Sequence, residues 1–166
     1  MSERIEDVSS APTGDVRLGP DMFRFAASTS GPSAIRLSSA LDSERAYPKQ
    51  VEIPVGRAAK SLLFVHAALW TDRGGRRIGA YRVHYADGTS EEVPLTYASN
   101  IASWIDQRAV SGAARAWGGR TRGGQRVVLY RFQWDNPHPE REIRSIEAVS
   151  DRTEAGLAVL AISGLE

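Results

Sequence analysis

A chain of 166 residues with no cysteine and a net charge of +1 is long enough to bury roughly two thirds of its unfolded surface as one domain. The missing thiolates exclude a disulfide framework and thiolate-based zinc sites. Near-neutral charge argues against a whole-surface field for nucleic acid or anionic lipid, and the arginine bias, with Lys49 and Lys60 the only lysines, follows from genome composition as readily as from function.

In chain order, residues 1–21 are acidic, polar and rich in Ser and Pro. They read as a disordered arm or linker with little to bury, and the folded domain is expected over 22–166. The segment lacks the apolar core of a secretory signal, and no stretch reaches the roughly 20 apolar residues of a membrane span. The expectation is a soluble chain, extracellular or cell-surface if it is a module excised from a larger protein.

From Met22 onward, short apolar runs alternate with turn residues. "MFRFAA", "SAIRLS" and "KQVEIPVG" are strand candidates. "SLLFVHAALW", residues 61–70, is continuously apolar and suits a central strand buried on both faces, with a short buried helix as the competing reading. In "RRIGAYRVHYADGTSEEVPL", Tyr81, Val83 and Tyr85 share one parity, and Asp87-Gly88 between alternating runs is the strongest short hairpin signal. A loop of some twenty-five residues follows. Then "QRVVLYRFQW" sets Val127, Leu129, Arg131 and Gln133 on one face and Val128, Tyr130, Phe132 and Trp134 on the other. "REIRSIEAVS" and "AGLAVLAISGLE" complete about eight strands. The pattern is all-β, a single sandwich or jelly roll. Phe64, Tyr81, Val83, Val128, Phe132, Ile146 and Leu160 are expected to point inward.

The sequence shows no compact metal-ligand or nucleophile pattern, while loop carboxylates at Asp42, Asp72, Asp87, Asp106 and Asp135 leave paired-carboxylate glycosidic cleavage open. His66, His84 and His138 match no compact ligand spacing, and no Gly-x-Ser-x-Gly elbow occurs. Neither Gly-rich patch ends as a phosphate loop does. Loop carboxylates at Asp42, Asp87 or Asp135 are candidates for a structural Ca²⁺. Arg115, Arg120, Arg122 and Arg126 around Trp117 read either as an anion or single-strand site or as a solvated hairpin.

The stretch after Pro94 is the anomaly, because it is long for a connection and interleaves aromatic with planar polar residues. Tyr97, Trp104 and Trp117 offer flat faces for sugar rings, and Asn100, Asp106 and Arg115 offer groups for hydroxyls. The competing reading has the tryptophans closing the open end of the core.

The hairpin with its Asn100-to-Trp104 loop, "RAWGG" and the "W-x-N-P-x-P" corner at Trp134–Pro139 together resemble a bacterial galactose-binding-like β-sandwich module. Such modules are often attached to carbohydrate-active or cell-surface proteins. The resemblance spans roughly residues 22–165. It implies a jelly roll with loop contacts at one end and does not fix a ligand. The expected function is a carbohydrate-binding accessory module for a polysaccharide or glycoconjugate, acting beside a neighbouring domain or enzyme. The rival readings are a structural or protein-interaction sandwich and a polysaccharide-acting enzyme. Open, coplanar tryptophans favour sugar, and buried ones favour a protein partner.

Overall fold

The protein is described by a computed structural model covering residues 10–25, 27–28, 31–32, 34–43 and 46–166. Its elements are β1 (Gly14–Leu18), β2 (Asp21–Phe25), β3 (Ala27–Ser28), β4 (Gly31–Pro32), β5 (Ile35–Arg36), β6 (Gln50–Arg57) and β7 (Ser61–Leu69). They continue with β8 (Arg77–Tyr85), β9 (Ser90–Thr96), β10 (Ala114–Arg120), β11 (Arg126–Asp135), β12 (Ile143–Ser150) and β13 (Gly156–Leu165), with no helix among the described residues. A five-stranded sheet in the order β10-β11-β7-β13-β5 packs on a four-stranded sheet in the order β6-β12-β8-β9. The result is an all-β sandwich. Among the described residues, no helix is long and apolar enough to cross a membrane.

Strand parity positions the core. In β11, Phe132 pairs with Phe64 of β7, and Phe64 stacks on Tyr81 of β8 with centroids 3.9 Å apart. That contact joins the two sheets, and such a pair contributes about 0.5–1.5 kcal/mol beyond its buried area. All seven residues expected to point inward are buried. Leu160 lies where the pairing of β13 with β7 shifts, between Val159 and Ala161.

β7 is buried at all nine positions, so its outer face must also be covered. The cover comes from the β1–β2 hairpin. Asp21 pairs with Arg131, whose side chain points away from the Phe132 face, and β2 packs along β13. Leu18, Phe23 and Phe25 join the buried cluster. The boundary expected at residue 22 therefore falls inside a hairpin, and β1 lies in what the sequence suggested was arm. The segment's polar composition conceals the period-2 pair Val16 and Leu18, which needs only a partner strand to become a buried edge.

The Asp87-Gly88 hairpin forms as expected. Gly88 takes φ +89° and donates its N–H to the Tyr85 carbonyl at 3.1 Å, a conformation that suits glycine. The outer face of the four-stranded sheet is a charged surface, where Arg82 reaches both Glu92 at 3.2 Å and Glu147 at 3.4 Å. At the other end, β10 replaces the last third of the expected loop. Gly118 and Gly119 weakened its strand signal, yet it pairs with β11 from Ala114 to Arg120.

Candidate functional site

The loop after Pro94 is built from its hydrogen bonds inward. Asn100 staples its base: the side-chain Oδ1 accepts from the Thr96 N–H at 2.8 Å, and Nδ2 donates to the Pro94 carbonyl at 2.9 Å. The Asn100 carbonyl faces His66 Nε2 at 3.0 Å. A carbonyl only accepts, so Nε2 carries the proton and Nδ1 accepts from the Tyr81 hydroxyl at 2.8 Å. Burial draws the imidazole down to about 4 and pushes the Tyr81 phenol well up. The pair is neutral and structural.

Beyond the staple, the loop adds itself to β7. Ala68 donates to the Ala102 carbonyl at 2.9 Å, and the Trp104 N–H donates to the Ala68 carbonyl at 3.0 Å. Val128 then donates to the Trp104 carbonyl at 2.8 Å. Tyr97 is 1% exposed and Trp104 4% exposed. These aromatics close the end of the core, so they present no open face to a sugar ring.

The six residues expected to form one surface thus separate into three groups. Tyr97, Asn100 and Trp104 make the end closure. Asp106 touches the rim of the closure, its Oδ2 accepting from the Tyr97 hydroxyl at 3.5 Å, and Asp106 and Arg115 both lie close enough to bias the Tyr130 phenol, which burial pushes up to about 12. Asp106 pairs with Arg108 at 3.2 Å. Trp117 lies elsewhere. Arg115 pairs with Tyr130 and Trp117 with Leu129 across a bulge, so their side chains project from opposite faces of the hairpin. The half-buried Trp117 ring lies against Gly119, where a Cβ would come within 2.2 Å of it.

The carboxylates considered for calcium all have protein donors. Asp42 binds Arg36 and the Ser39 N–H. Asp87 accepts from the Thr89 N–H and hydroxyl. Asp135 accepts from Ser61 and Gln133. In the "W-x-N-P-x-P" corner, Asn136 is buried, accepts from the Tyr85 hydroxyl at 2.6 Å and donates to the Ala59 carbonyl at 2.8 Å.

A different feature has the shape of a binding site. A half-open groove of about 540 Å³ runs between β2, β6 and the end of β13. Its floor is apolar, formed by Ile53, Leu62, Ile146 and Ile162, and Met22, Phe23 and Val55 wall it. Asp15, Arg24, Arg57 and Glu166 stand at the rim. Met22 is 47% exposed. β6 pairs only with β12, so its other edge is unpaired among the described strands. Sequence reasoning placed Met22 at a domain start and β6 in a sheet; their adjacency depends on strand order, which local patterning does not encode.

No protein-family model matches this chain, and no curated protein matches it.

Proposed function

We propose that the chain is a binding module that docks an extended, apolar segment of a partner protein in the groove between β2, β6 and β13. The observation that carries this reading is the coincidence of an exposed Met22, an apolar floor and a strand edge unpaired among the described strands, all in one place. Extended peptides are taken up in this way: main-chain hydrogen bonds to an edge strand give affinity, and pockets for alternate side chains give selectivity. Pro54 lacks an N–H and limits indiscriminate pairing along β6. The burial of Tyr97 and Trp104 supports a protein partner over a sugar by the criterion of aromatic exposure.

The alternation of successive strands between the sheets, with β6, β7 and β8 in opposite layers in turn, supports a jelly roll of the galactose-binding-like type. A second reading, a polysaccharide-binding module, is favoured by one observation, the Trp117 ring, which is only partly buried. Its test is a glycan panel on which Trp117→Ala abolishes retention.

The groove reading is tested by selection from a displayed library of random peptides. Enriched peptides should carry apolar residues at alternate positions, and Met22→Asp or Val55→Glu should weaken them by at least about tenfold, about 1.4 kcal/mol. Peptides that bind the variants as well as the parent, or a failure to enrich any, contradict it.

A further inference from the structure

Between Asp106 and Asp135 the chain carries no acidic residue, yet it holds Arg108, Arg115, Arg120, Arg122, Arg126 and Arg131. Arg108 pairs with Asp106 and Arg131 with Asp21. Arg115, Arg120 and Arg126 lie exposed on β10 and β11, where a net charge of +1 for the whole chain becomes a local run of cations. Arg120 and Arg126 are direct cross-strand partners. Like charges placed opposite each other destabilise a strand pair. Retaining two arginines there runs against stability, as binding sites commonly do.

The patch is also held in place. Thr121 donates to the Gln125 carbonyl and Gly124 to the Thr121 carbonyl, each at 2.9 Å, and Arg120 Nη1 donates to the Gly124 carbonyl at 2.8 Å. The turn backbone is a closed hydrogen-bonded unit, so the ordering cost of binding falls on the side chains alone.

We infer that the face of the β10–β11 hairpin bearing Arg115, Arg120 and Arg126 binds a linear acidic polysaccharide through its carboxylates. The cations are guanidinium groups, whose planar fork matches a carboxylate with two parallel hydrogen bonds. Binding of single-stranded nucleic acid adds aromatic platforms for the bases. Here Trp117 projects from the opposite face, and Tyr130, on the arginine side, is fully buried. A ligand held by charge along its length and without stacking is therefore the better match. This surface is separate from the groove, so either assignment stands without the other.

The experiment is affinity electrophoresis of the full chain through gels containing polygalacturonate, neutral dextran or no polymer. The same protein is titrated with an oligothymidylate at low and physiological salt. Wild type should be retarded by polygalacturonate only, and the retardation should fall with salt as released counterions require. The Arg120→Gln/Arg126→Gln double variant should lose at least about tenfold in affinity, and Arg126→Gln alone, which leaves the Arg120 bond to Gly124 in place, should weaken binding while melting no lower than wild type, because a repulsive pair has been removed. Absence of retardation, equal retardation of the double variant, or tighter binding of the oligothymidylate than of polygalacturonate would overturn the proposal.

Discussion

His66 and Asn100, thirty-four residues apart, are joined by a 3.0 Å hydrogen bond from the buried imidazole Nε2–H to the loop carbonyl. This bond ties the loop after Pro94 to the centre of the five-stranded sheet. It also makes the fold sensitive to acid. The imidazole is drawn from 6.5 to about 4 by burial, so between those values the unfolded chain binds a proton that the folded chain refuses. The contribution is present in full above pH 6.5 and is lost as pH falls toward 4, by about 3 kcal/mol. Urea unfolding at a series of pH values should show this slope, and His66→Gln should be less stable at pH 7 but flatter across the interval. An unchanged slope in the variant would remove His66 from the account.

Trp104→Ala should destabilise the protein by about 3–5 kcal/mol, the scale for emptying a buried aromatic site. Trp117→Ala, on the half-buried face of β10, should cost much less. Thermal melts of the two variants separate closure from platform. Equal, small losses would mean that Trp104 is not a closure.

Asn100→Ala leaves the Thr96 N–H and the Pro94 carbonyl without their side-chain partner, at a cost of about 1–3 kcal/mol. Faster amide exchange at Thr96 should accompany the loss. If stability falls and Thr96 exchange does not rise, the staple has been misassigned.

Phe23→Ala should cost about 3–5 kcal/mol if the β1–β2 hairpin covers the outer face of the five-stranded sheet. Deleting residues 1–20, which removes β1, should lower the melting temperature and expose apolar surface to a hydrophobic dye. A truncated chain that melts like the parent would show that β7 does not need this cover.

Most of the sandwich was legible because strand faces follow a period of two. Tyr81, Val83 and Tyr85, or Val128, Tyr130 and Phe132, announce an inward face without knowledge of the partner sheet. The apolar run of β7 likewise announced a strand covered on both sides. What covers it did not show, since Val16 and Leu18 sit in a polar segment whose burial depends on β2 and on Arg131 finding Asp21. β10 was obscured by its glycines. The loop was misleading for a related reason. Tyr97, Asn100 and Trp104 have the composition of a sugar site, and only their register against Ala68 and Val128 shows that they face inward. The groove was invisible because Met22 and Val55 meet through sheet order, a non-local property.

Docking of a partner strand against β6 is checked by hydrogen–deuterium exchange of the chain with and without a peptide selected on it. New protection is expected within Gln50–Arg57 and around Met22, with the loop from Tyr97 to Trp104 unchanged. Protection confined to that loop, or to β10 and β11, with β6 exchanging as in the free protein, would contradict it.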